Sequence, residues 1–172
     1  MPTPCYISIK GKTQGNITEN AFTAASVGNI YVEGHKDEML VQEVKHNVTV
    51  PTDPQSGQPS GQRIHKPLKF TVALNKAIPL IYNALASGET LENVTLKWYR
   101  TSTEGKQEYF FSTILQDATI VDVDLHMPHC QDAAKSDFTQ LVEVSLAYRK
   151  ISWDHLKSGS SGSDDWRAPT EA

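Results

Sequence analysis

Leu68-Lys69-Phe70-Thr71-Val72-Ala73-Leu74 places an apolar residue at every second position. Successive side chains of a strand point to opposite faces, so this run lines Leu68, Phe70, Val72 and Leu74 along one face, which reads as a strand with one buried side. The same period recurs in both directions. Toward the N-terminus, Cys5, Ile7 and Ile9 alternate with Tyr6, Ser8 and Lys10, and Leu40, Val44, Val48 and Val50 share a parity that Gln42 and His46 interrupt. Toward the C-terminus, Val94, Leu96 and Trp98 oppose Thr95, Lys97 and Tyr99, and Val121, Val123 and Leu125 oppose Asp122, Asp124 and His126. Last come Val142, Val144, Leu146 and Tyr148 against Glu143, Ser145, Ala147 and Arg149. One buried face per strand is the vocabulary of antiparallel sheets, so a mainly β domain is expected.

The period changes once. Between Asn75 and Ser87, Ile78, Ile81, Tyr82 and Leu85 fall three and four apart, the spacing of one helical face. Asn75 is the expected N-cap and Gly88 the expected C′ residue, with Pro79 late for a first turn. Thr103-Glu104-Gly105-Lys106 turns the hairpin from Leu96 to Leu115, Gly105 supplying positive φ.

Two segments lack an apolar pattern. Pro51-Thr52-Asp53-Pro54-Gln55-Ser56-Gly57-Gln58-Pro59-Ser60-Gly61-Gln62-Arg63 lies between two strands with three prolines and two glycines. Loops of this length inside compact domains are functional or disordered. The tail from Ser158 opens with a Gly/Ser stretch that reads as a flexible linker, after which Trp166 offers a docking residue. The expected layout is one domain over 1–157 and a tail over 158–172.

At 172 residues, 38% of them hydrophobic, the chain can bury one sizeable core. A net charge of −4 and the lack of a Lys/Arg run with interleaved aromatics disfavour nucleic acid as a partner. No stretch approaches the roughly 20 apolar residues of a membrane span, and Met1 to Lys10 has neither basic n-region nor apolar h-region, so export would not use a Sec signal. Cys5 and Cys130 are the only cysteines, and a reducing cytosol keeps both as free thiols.

Catalytic signatures are absent: there is no Gly-x-Ser-x-Gly, no His-Glu-x-x-His and no phosphate-cradling loop ending in Gly-Lys-Ser/Thr. Asp122, Asp124 and His126, followed by His129 and Cys130, could ligate a metal, yet a half-exposed strand produces the same alternation and no second ligand pair has zinc-site spacing. Trp98, Tyr99, Tyr109, Phe110 and Phe111 could form a sugar-stacking platform, though aromatics of a central hairpin more often pack across strands. No cofactor is expected.

Longer runs carry a resemblance. Val50 through Pro67, Lys69-Phe-Thr-Val-Ala-Leu-Asn-Lys76, Trp98-Tyr-Arg-Thr101, Met127-Pro-His-Cys-Gln131, Tyr148-Arg-Lys-Ile-Ser-Trp-Asp-His155 and Gly162-Ser-Asp-Asp-Trp-Arg167 closely resemble the haemolysin-coregulated protein (Hcp) family, in order and over essentially the whole chain.

The resemblance implies a small β-barrel of two packed antiparallel sheets with one flanking α-helix and a long extended loop. It implies a non-enzymatic subunit of the type VI secretion inner tube, a homo-hexameric ring that stacks on copies of itself. Implied partners are a spike trimer, a contractile sheath and effector proteins carried in the lumen, with assembly in the cytoplasm before secretion. The family's extended loop maps to Thr52, Asp53, Pro54, Gln55, Ser56, Gly57, Gln58, Pro59, Ser60, Gly61, Gln62 and Arg63, expected to contact a neighbouring subunit or ring, with its backbone groups satisfied by water in the free chain. Family members with a fused C-terminal effector domain extend further than Ala172, so this chain is expected to be the unfused form.

Overall fold

The computed structural model describes residues 3–28, 33–135 and 138–166. In chain order these form β1 (Cys5–Gly11), β2 (Gly15–Asn16), α1 (Ala24–Val27), β3 (Met39–Lys45), β4 (Val48–Thr49), β5 (Ile64–His65), β6 (Leu68–Ala73), α2 (Ile78–Ser87), β7 (Thr90–Thr101), β8 (Gln107–His126), β9 (Leu141–Ala147), β10 (Lys150–His155) and β11 (Ser160–Asp165).

The fold is mainly β, with α2 as its main helix. Its two packed faces belong to one nine-stranded antiparallel sheet that runs β11-β10-β8-β7-β1-β3-β6-β9, with β2 paired to β1 off this path, and closes because β9 also pairs with β8. The closing strand is 20 residues long. Its first part pairs with β10, from Phe111 to Gln116, and its last part with β9, from Thr119 to His126. β10 and β11 therefore extend from the barrel as a wing. Cys5, Ile7 and Ile9 of β1 sit opposite Trp98, Leu96 and Val94 of β7. Leu68, Phe70 and Val72 of β6 face Leu146, Val144 and Val142 of β9. These rows meet inside the barrel as one core.

The periodicity misreads four places, the first of them Leu74, which lies past the end of β6 and is exposed. In β3 the buried residues are Met39 and Val41, not Leu40, because a bulge between Val41 and Glu43 switches parity and returns only Val44 to the core. Val48 and Val50 lie beyond it and are exposed. In β8 a second bulge follows Ile120, and of the expected row only Val123 packs on the core; Val121 is the unpaired residue of the bulge and is exposed, as is Leu125 near the end of the strand. On α2 the buried stripe is Ile78, Ile81 and Ala84, and Tyr82 faces outward.

Asn75 precedes α2 rather than capping it directly. Its Oδ1 accepts from Ala77 N–H at 2.8 Å, and Pro79 then falls in the first turn, where a missing N–H costs nothing. Gly88 ends the helix in the left-handed conformation, as expected, with φ +68°. Gly105 turns the β7–β8 hairpin at φ +83°.

The Gly/Ser tail is not a flexible linker. Ser160 to Asp165 pair residue by residue with His155 to Lys150, so backbone hydrogen bonds hold a segment whose side chains have no apolar pattern. Trp166 docks, packing against the core.

Candidate functional site

Thr52 to Gln62, the segment expected to reach outward, are all exposed. Contrary to the expectation for the free chain, several of its backbone groups are satisfied within the segment. Asp53 N–H donates to Gln58 O, Gly57 N–H to Asp53 O and Ser60 N–H to Pro51 O, each at 2.8 Å, and Thr52 bridges Pro59. The Asp53 carboxylate accepts from Gln55 N–H at 2.9 Å and from the Ser56 hydroxyl at 3.1 Å. Those donors, the Gln55 N–H foremost, hold it below the usual carboxylate range. Gly57 takes φ +73° at the turn. The segment is thus a structured arm whose hydrogen bonds stay inside it, and the β4–β5 pair, with Val48 opposite His65, forms its base.

Arg63 behaves differently from the other eleven. Its guanidinium grips the tail strand, donating to both carboxylate oxygens of Asp164 at 2.5 and 3.0 Å and to Asp165 O at 3.0 Å. Beside it a polar chain crosses the root of the arm. His46 Nε2 lies 2.6 Å from the Tyr148 hydroxyl, that hydroxyl 2.7 Å from His65 Nδ1, and His65 Nε2 2.7 Å from Asp164 Oδ2. His65 is 7% exposed, so its polar atoms depend on these partners. The Trp166 indole covers the His65 ring at 5.7 Å and donates to Tyr148 O. Burial first, and then His65, push His46 below the ordinary imidazole value. Burial first, and then Asp164, push the Tyr148 phenol up. The Arg63 hydrogen bond is the main cause that holds Asp164 below the usual carboxylate range.

The other candidates do not assemble. Asp122, Asp124, His126, His129 and Cys130 are not brought together, and among the described residues no three His, Cys, Asp or Glu side chains gather to hold a metal. Trp98 donates its indole N–H to Thr113 Oγ1, Tyr99 packs on Tyr109, and Phe110 and Phe111 flank His155. These half-buried rings fill the hairpin and wing instead of forming an open platform. Cys5 is buried, Cys130 exposed, and both are free thiols. No helix among the described residues is long and apolar enough to cross a membrane.

The four members of the root chain come from distant segments, and sequence reasoning found only the docking of Trp166. The one further signal was the opposite charge of Arg63 and Asp164.

The family model described as "Type VI secretion system effector, Hcp" matches residues 6–155. The "Major exported protein" of Pseudomonas aeruginosa is 54% identical over 169 residues, covering 98% of each chain. A solved structure described as "Crystal structure of Hcp protein" superposes with a TM-score of 0.93 at 54% identity, covering 98% of this chain and 100% of that one. "Secreted protein Hcp3 from Pseudomonas aeruginosa" gives a TM-score of 0.83 at 47% identity, over 97% and 100% of the two chains.

Proposed function

Because this chain belongs to the Hcp family of type VI secretion proteins, we propose that it closes into hexameric rings which stack into the secreted inner tube, with the arm as a contact between rings or subunits. The family is one of structural, secreted tube proteins and not of enzymes. The observation that carries the role of the arm is that Thr52 to Gln62 are exposed while already satisfying each other's backbone groups. A segment ordered in advance loses little entropy on docking, and its prolines restrict it further. A ring uses a head-to-tail interface that closes, whereas stacking uses a second surface that does not close and so propagates. Effectors in the lumen, a spike at the tip, a sheath outside and export without a Sec signal complete the reading. Export of the closely similar Pseudomonas aeruginosa protein, as its name states, supports it.

The test shortens the arm without disturbing its root. Thr49 pairs with Ile64, so Val50 and Arg63 are the next opposing residues, and Asn-Gly in place of Pro51 to Gln62 gives a two-residue hairpin that retains Arg63. The shortened chain is expected to show native circular dichroism and a mass in solution about six times that of one chain. Ring stacking by electron microscopy should weaken about tenfold or more, a loss of about 1.4 kcal/mol per contact, and secretion should fall. Undiminished tubes and secretion would overturn the role of the arm, and a monomeric mass for the native chain would overturn the ring.

A further inference from the structure

We propose that His46, Tyr148, His65 and Asp164 form a proton-linked clasp that fixes the arm to the tail strand at neutral pH and releases the two together on acidification. The bearing of the clasp on assembly rests on the reading of the arm above, whereas its opening does not.

The four side chains come from just past the end of β3, just past β9, from β5 and from β11, so each ties a different element to the root of the arm. Three contacts link them, and each needs one proton. With both histidines neutral, His46 Nε2–H donates to Tyr148, the Tyr148 hydroxyl donates to His65 Nδ1, and His65 Nε2–H donates to Asp164. All three contacts are made. One further proton placed on the His65 ring would still leave the three contacts made. Its Nδ1–H then donates to Tyr148, whose own proton turns to an unprotonated His46 Nε2, and the contact with Asp164 gains charge. A second proton has no place. With both rings cationic, both donate to the Tyr148 oxygen, its hydroxyl proton loses its partner in the chain, and two like charges sit on either side of one oxygen.

The charged groups around the chain do not offset this. Arg63 adds a positive charge against Asp164, while Asp165 is shared between Arg63, through its carbonyl, and Arg149, whose Nε is 3.3 Å from its carboxylate. His46 is the site of the refused proton, since its folded-state affinity is depressed by burial and by His65. A released root takes that proton more readily, so the clasp holds above the ordinary imidazole range and weakens as the pH falls through it. Asp164, held low by Arg63, stays ionised over this window and would fail only in stronger acid.

Amide hydrogen exchange on the full chain at about pH 7.5 and about pH 5, corrected for intrinsic rates, tests the clasp. In the native chain the Lys66 amide at the arm root and the β11 amides are expected to lose protection together, by about tenfold or more, while the β1–β7 amides do not. H46Q places an amide donor near the position of Nε2 without a titrating group and should keep both sites protected at both pH values. Y148F removes the shared hydroxyl and should leave both weakly protected throughout. Equal protection of the native chain at the two pH values would overturn the clasp, as would H46Q falling in step with it, or the arm root opening while β11 holds. If both sites open together and acid-treated rings still stack as before, the clasp stands and the contact role of the arm falls.

Discussion

Cys5 and Cys130 show how a position in the fold decides the chemistry of identical side chains. Cys5 is buried between β3 and β7, opposite Val41 and Trp98, and burial, followed by the charge of Glu38, pushes its thiol up to about 12. The thiolate is the nucleophile, so Cys5 is inert at neutral pH, whereas Cys130 lies exposed in the segment after β8. A thiol reagent at about pH 8 should therefore modify one cysteine per native chain and a second only after denaturation. Rapid modification of two in the native state would place Cys5 elsewhere. Composition alone indicated free thiols but could not rank them. The clasp was beyond reach for the same reason, since nothing in the local spacing of His46, His65, Tyr148 and Asp164 joins residues up to 118 positions apart.

Elements differ in how they announce themselves. β1, β6, β7 and β9 were legible because each has one face in the barrel, and burial of that face writes the period-2 pattern. The pattern failed in β3 and late β8 because a bulge shifts parity by one residue and because alternation persists to strand ends that nothing covers. β11 was invisible, being held by the backbone of β10 and by Asp164 rather than by apolar side chains. The arm could be seen as exposed, but its internal turns depend on Asp53 and Ser56 contacts that polar composition does not encode. For α2 the spacing identified the helix and Ile81, yet Tyr82 fell outside the buried stripe. Ile81 is fully buried, so Ile81→Ala should lower stability by about 2–5 kcal/mol, and Tyr82→Ala by less than about 1 kcal/mol. Denaturant unfolding monitored by circular dichroism would measure both, and equal losses would mean that α2 presents a different face.

At the scale of the molecule, the barrel and its wing depend on one strand. β8 joins β7 through a short hairpin and β9 lies only 15 to 28 positions beyond its partners on β8, but β1 must find β7 across 80 to 93 positions. Loop-closure entropy is lost before such distant pairs form, which makes this topology slow to fold. The β7–β8 hairpin and its neighbour β9 should be in place at the rate-limiting step, with β1 docking afterward. Val144→Ala in β9 should then chiefly slow refolding, while Ile7→Ala in β1 should leave the refolding rate nearly unchanged and accelerate unfolding, measured by stopped-flow at concentrations where the chain is dissociated. The reverse assignment would mean that the N-terminal strand nucleates the barrel. If β1 is last, the chain passes through a stage in which the unpaired edges of β7 and β3 are both open, and it is in that interval, before any ring can exist, that a newly made chain is most exposed to mispairing.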